Sequence, residues 1–95
     1  METKKLSFEK SEDGIDYICK IDSSTNDGLS GVIQIEQSER GIVAVLANLP
    51  GMPPAFVRTF ENPYGQSVIF ELELPDGVEV TLKSSTEVIN ALWIK

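Results

Sequence analysis

Glu71, Glu73 and Glu79 alternate with apolar residues on either side of Pro75-Asp76-Gly77. Neighbouring carboxylates can hydrolyse glycosides, hold a cation or meet a basic protein. Hydrolysis needs such groups perturbed inside a cleft. Alternation instead places these three on an outward strand face, with Glu73 directly across from Glu79 if the two runs pair. Like charges opposed in this way repel by up to about 1 kcal/mol. A solvated face that resists aggregation is the plain reading, and an acidic patch for a basic partner or a cation is the sharper one.

Other chemistry-bearing residues are few. The chain has no histidine and one cysteine, Cys19. That removes the commonest general base, every Ser-His or Cys-His pair and a cysteine-built zinc site. Cys19 alternates with Tyr17 and Ile21, as a small buried hydrophobe does. Residues 22–31 are rich in oxygen donors, but an EF-hand starting at Asp22 needs glycine at 27 and glutamate at 33, where the chain has Asp27 and Ile33. Asp22, Asn26 and Asp27 leave an irregular cation site as the alternative to a polar loop, which the same residue types favour. Gly28 and Gly31 sit among strand and turn signals with no helix following, so they make no phosphate loop. The expectation is a protein that is not an enzyme, with no catalytic residue, metal or cofactor.

Residues 49–55, Leu-Pro-Gly-Met-Pro-Pro-Ala, contain three prolines and cannot run as a ladder strand. They predict a stiff loop that offers Met52, Pro53, Pro54 and then Phe56 to a partner. Prolines cut the entropy lost on binding, and methionine adapts to varied surfaces. A cover folded over one end of the core is the competing use of this loop. The candidate partner-binding residues are therefore Met52, Pro53, Pro54, Phe56, Glu71, Glu73 and Glu79. A charged residue in place of Met52 should impair binding and leave the melting temperature nearly unchanged.

Strands must carry these residues. Val68, Phe70, Leu72 and Leu74 face one way, and Val78, Val80 and Leu82 repeat the pattern after the Pro-Asp-Gly turn. This predicts a hairpin over residues 66–83, with Leu74 opposite Val78, Leu72 opposite Val80 and Phe70 opposite Leu82, around which the other strands gather. A type I′ turn at Asp13-Gly14 predicts a second hairpin, with Phe8 opposite Cys19 and Leu6 opposite Ile21; Ile15, Tyr17, Cys19 and Ile21 share its inner face. A third hairpin around Glu39-Arg40-Gly41 pairs Ile35 with Val45 and Ile33 with Ala47, so that Ile33, Ile35, Val43 and Val45 face inward. Ile42, Ala44 and Leu46 make that second strand apolar on its reverse side too, as in a central or covered strand; the exposed alternative makes Leu46 and Val32 part of a partner surface. Residues 56–60 read as a short strand, and Asn62-Pro63-Tyr64-Gly65 as a type I turn.

The end of the chain has two readings. Ser84-Ser85-Thr86-Glu87 fits a capping box that opens a short helix. Val, Ile and Trp favour a strand instead, with Val88, Asn90, Leu92 and Ile94 on one face and Ile89, Ala91 and Trp93 on the other.

Ninety-five residues suit a single domain, 1–95. The net charge of −7, from 15 acidic and 8 basic residues, disfavours nucleic acid, which needs a basic stripe. No apolar run reaches membrane-spanning length and no signal-type segment follows Met1, so no membrane association is expected; the expected location is the cytoplasm, or a virion. The fold class expected is all-β: an antiparallel β-sandwich or partly closed barrel of seven or eight strands built from hairpins. The function expected is a non-enzymatic protein-interaction module, a small structural subunit of a larger assembly such as a virion or phage-type decoration or attachment subunit, with a protein partner and a tendency to homo-oligomerise. The alternatives are a ligand- or carbohydrate-binding sandwich that stacks sugars on Tyr64 and Trp93, and an acidic inhibitor that mimics nucleic acid.

Overall fold

A computed structural model of the 95-residue chain describes residues 3–22, 30–48, 51–53, 55–63, 65, 67–73 and 78–94. Alternating apolar and polar residues give nine strands: β1 Thr3–Lys5, β2 Glu9–Lys10, β3 Tyr17–Asp22, β4 Ser30–Gln37, β5 Gly41–Asn48, β6 Ala55–Asn62, β7 Ser67–Glu73, β8 Glu79–Ser84 and β9 Val88–Ile94. They form two antiparallel sheets with the orders β1-β9-β4-β7 and β2-β3-β8-β5-β6. The expected all-β sandwich is therefore the observed architecture, open rather than closed into a barrel.

The pairings are nested. β5 pairs with β6, β4 with β7, β3 with β8 and β1 with β9. The chain is thus one antiparallel ribbon, doubled back at its middle and rolled so that successive rungs alternate between sheets. That is jelly-roll topology, with β2 added outside β3. Gly41 and Asn62 are partners, as are Ser30 and Glu73, and each pair is equally distant from the Gly51–Met52 bond. The ribbon's register therefore carries through a sheet crossing unchanged, and the proline-rich segment joins the two strands at its tip.

Two predicted hairpins are overturned by this topology. Phe70 lies opposite Ile33 and Leu72 opposite Gly31, whereas Val80 lies between Ile21 and Ala47, and Leu82 between Cys19 and Val45. β7 and β8 therefore belong to different sheets, and the segment between them crosses the sandwich. The same holds for β4 and β5 around Glu39-Arg40-Gly41. A crossing and a hairpin both need turn residues, and both bring two apolar faces toward one core, so alternation alone does not separate them. The faces themselves were assigned correctly: Ile33, Ile35, Val43, Val45, Val68, Phe70, Val80 and Leu82 are all buried.

At Asp13-Gly14 the predicted register persists over two pairs, Glu9 opposite Ile18 and Lys10 opposite Tyr17; the predicted Leu6–Ile21 pair does not form, because Leu6 joins Ala91 and Ile21 lies opposite Val80. The turn differs from the predicted type I′. Gly14 N–H donates to Ser11 O (2.9 Å), Ser11 N–H donates to Asp16 O (2.8 Å), and Gly14 takes the positive φ of 74°. Ile15 then falls in the loop and is exposed. The first predicted strand is shared between sheets. β1 pairs with β9, Leu6 N–H still reaches Ala91 O (2.9 Å), and the chain then crosses to β2 while Leu6 and Phe8 pack on the core. Across the turn predicted after β6, Gly65 N–H donates to Asn62 O (3.5 Å).

The C-terminal segment is a strand, held between β1 and β4. One correction applies to its faces. Glu36 pairs with Asn90 but Gln37 with Val88, which leaves Ile89 as the extra residue of a bulge. Val88 therefore packs on the core and Ile89 is exposed, while Ala91 and Trp93 remain inside. Gly31 accommodates the indole: a Cβ there would collide with Trp93 and lie 2.6 Å from the Ile94 carbonyl oxygen. At the β6–β7 edge, Phe60 stacks on Phe70 with ring centroids 4.6 Å apart and seals the gap between sheets.

One end of the interior is polar. Gln37, Asn62 and Ser84 are buried. Asn62 Nδ2 donates to Gln37 Oε1 (2.9 Å), Gln37 Nε2 donates to Ser84 Oγ (2.8 Å), and the Ser84 hydroxyl donates to Thr86 O (2.6 Å). Ser84-Ser85-Thr86 therefore stitches a corner instead of capping a helix. Ser85 Oγ accepts from Ile42 N–H (2.8 Å), and Ser38 N–H donates to Glu87 O (2.8 Å).

Candidate interaction surface

The outward faces of the two sheets differ in chemistry. On the four-stranded sheet, Lys5, Leu92, Gln34 and Ile69 form one cross-strand row, and Thr3, Ile94, Val32 and Glu71 the next. Val32, Leu92 and Ile94 are half-buried on this face although none of the described strands covers them, and Ile69 is 62% exposed. Four apolar side chains on adjacent strands thus make a contiguous patch. Glu71 and Glu73 border it on the β7 side and Lys5 on the β1 side, while Glu36 lies beyond Gln34 on β4, between Ser67 and Asn90. A shallow groove of about 190 Å³ runs along Gly31, Val32, Glu71, Leu72 and Glu73.

The five-stranded sheet presents a mixed exterior on which several polar groups satisfy one another. Lys83 Nζ lies 3.3 Å from Asp16 Oδ2. Asn48 Nδ2 donates to Thr81 Oγ1 (2.8 Å) and to Glu79 Oε1 (3.2 Å). Ile18, Ile42, Ala44 and Leu46 lie among these groups, with Ala44 itself buried and Ile42 44% exposed.

This geometry corrects the acidic-patch expectation. Glu71 and Glu73 sit together on the outer face of one sheet, while Glu79 sits on the outer face of the other, opposite Asn48. Glu73 and Glu79 do not oppose each other. Met52 and Pro53 are exposed at the tip of the ribbon, Met52 at 62%. Phe56 is in β6 opposite Leu46, with its side chain, like all of Pro54, outside the described residues. Tyr64, Asn26 and Asp27 also lie outside them. Trp93, the proposed sugar platform, is 1% exposed and faces the core, which removes it from any exposed stacking site. Sequence reasoning missed the patch as a whole because Val32, Ile69 and the Leu92–Ile94 pair lie far apart in the chain, and only strand order makes them neighbours. The available signal was the surplus of apolar residues on strands that already had a full inner face.

A second concavity, of about 460 Å³, opens where β1 hands over to β2, lined by Glu9, Lys10, Glu12, Ile18, Cys19 and Lys20 among others. Its charges are of mixed sign. Burial pushes the Cys19 thiol above its ordinary value of 9.0, with a backbone hydrogen bond from Ser7 opposing this, so the thiolate that nucleophilic chemistry requires is disfavoured. Among the described residues no group of three or more His, Cys, Asp or Glu side chains is placed to hold a metal ion, and no helix is long and apolar enough to cross a membrane.

Comparison of the chain with protein-family models, with curated proteins and with solved structures finds no match.

Proposed function

We propose that this chain is a non-enzymatic protein-interaction module, of the kind that serves as a small structural subunit of an assembly, and that it docks through the outer face of the four-stranded sheet. The observation that carries this reading is the patch formed by Val32, Ile69, Leu92 and Ile94. Apolar clusters rimmed by charge mark docking surfaces more often than scattered single hydrophobes do. Ile69, the exposed member, is worth on the order of 1.5–3 kcal/mol when fully covered, and the half-buried Val32, Leu92 and Ile94 add less each. Met52 and Pro53 form a second exposed contact point at the ribbon tip. Jelly rolls occur in capsid and lectin domains; this is an analogy of architecture, since one fold hosts many functions.

A photo-crosslinking side chain placed at position 69, compared with one at Ile18 on the other sheet, tests the reading in the cells that make the protein. Adducts at 69 and none at 18 are expected. Equal capture at both positions, or none at 69, overturns it.

A further inference from the structure

We infer that the occupant of this face is a second copy of the same chain, packed sheet against sheet about a two-fold axis that runs parallel to the strands. This rests on the interaction-module reading and names its partner.

The charges on the face are segregated. Lys5 lies on β1 at one margin, and Glu71 and Glu73 lie on β7 at the other, with the apolar patch between. Three strand spacings separate the margins, about 14 Å, too far for these groups to pair within one chain. Among the described residues none of Lys5, Glu36, Glu71 and Glu73 forms an ion pair. On the opposite sheet, by contrast, Lys83 pairs with Asp16 and Glu79 accepts from Asn48 within the chain.

A two-fold interface joins the same patch on both copies. An axis across the strands would stack β1 on β1 and β7 on β7, setting lysine against lysine and glutamate against glutamate. An axis along the strands stacks β1 of one protomer on β7 of the other. Lys5 then faces the Ile69–Glu71 stretch of its partner twice over, and the apolar residues meet in the middle. Charge complementarity selects the second arrangement. Face-to-face packing of twisted sheets within about 30° of alignment is ordinary sandwich geometry.

Sedimentation equilibrium from micromolar to millimolar concentration tests this. The unaltered chain should approach twice its monomer mass. Ile69→Lys should raise the dissociation constant about tenfold or more with its melting temperature unchanged, and Ile18→Lys should leave it as it was. Lys5→Glu alone should weaken association several-fold, and adding Glu71→Lys should restore it. A monomer at every concentration overturns the inference, as does a dimer indifferent to Ile69→Lys or a charge swap that fails to rescue. If the chain is monomeric yet a crosslinker at position 69 captures a different protein, the interaction-module reading stands and only the self-pairing fails.

Discussion

The middle of the space between the sheets and its end at the β8–β9 corner are equally dry but built from opposite materials. In the middle, Ile33, Ile35, Val43, Val45, Leu82 and Trp93 meet with at most 1% of their surface exposed. There the fit is chiefly one of shape and volume. At the corner, Gln37 and Ser84 are buried just as deeply, and every contact has a donor and an acceptor. Asn62 gives to Gln37, Gln37 to Ser84, and Ser84 to the Thr86 carbonyl. These four residues come from β6, β4, β8 and the β8–β9 corner, so the relay joins both sheets. An apolar core drives collapse without choosing among neighbouring arrangements. A buried relay is satisfied only when the right strands lie beside each other, and it penalises the alternatives.

Removing bulk from the middle should have the largest effect. Trp93→Ala deletes the largest fully buried side chain and should cost about 3–5 kcal/mol, read as a fall in the midpoint of urea unfolding with the slope retained. A loss under about 1 kcal/mol would mean that the sheets close over the space and that the middle is not shape-determined.

Breaking the relay should cost somewhat less but with a different signature. Gln37→Leu keeps an apolar group of similar size in place yet deprives Asn62 Nδ2 of this acceptor and Ser84 Oγ of this donor. Ser84 Oγ keeps its bonds to the Thr86 backbone, and a buried group that loses a partner costs about 1–3 kcal/mol, so a loss of about that size is expected. Ser84→Ala added to Gln37→Leu should cost less than the two single losses together, because members of one network are not independent. Strict additivity would show that the relay is three separate bonds.

Thr86→Val should go the other way. Its Oγ1 is buried without a hydrogen-bond partner, while its backbone N–H and carbonyl both engage Ser84 Oγ. Valine keeps the shape and the backbone bonds and removes the idle hydroxyl. A gain of about 0.5–1 kcal/mol is expected; a loss of that size would show that the hydroxyl does have a partner, such as an ordered water.

The same contrast explains what could be read in advance. Inner faces were legible from alternation: Cys19, Ile21, Ile33 and Phe70 are buried as the pattern requires. The register at Asp13-Gly14 was legible too, because a short turn fixes partners locally. Strand order was not. Whether the chain after Glu73 folds back in its own sheet or crosses to the other depends on contacts with β4, β3 and β5, which lie far away in sequence. The relay stayed hidden for the same reason. Gln37, Asn62 and Ser84 each look like ordinary polar residues at strand ends, and Ser84 even suggested a helix cap. The Ile89 bulge was invisible because one extra residue shifts the phase without altering composition. The interaction patch depended wholly on strand order, so the local Glu73–Glu79 opposition was named in its place.

A solvent-exposed counterpart of the relay gives the smallest effect and isolates what burial adds. In the β2–β3 loop the Ser11 hydroxyl donates to Asp13 Oδ1, Ile15 N–H donates to the same oxygen (3.0 Å), and Asp16 N–H donates to Ser11 Oγ (3.1 Å). The bond from Ser11, then that from Ile15, holds the Asp13 carboxyl below its ordinary value of 3.8. A depressed folded-state value means that the carboxylate's contribution is fully present above pH 3.8 and is lost only as the pH falls through the lower value of the folded protein. Titration of the Asp13 carboxyl by NMR should therefore give a midpoint below 3.8, and Ser11→Ala should move it back toward that value. Because water competes for every bond in this loop, Ser11→Ala should leave the melting temperature almost unchanged, whereas Ser84→Ala, which removes a hydroxyl from the buried relay, should lower it visibly. Equal shifts from the two substitutions would refute the idea that desolvation, rather than the bonding pattern itself, gives the buried relay its influence on the fold.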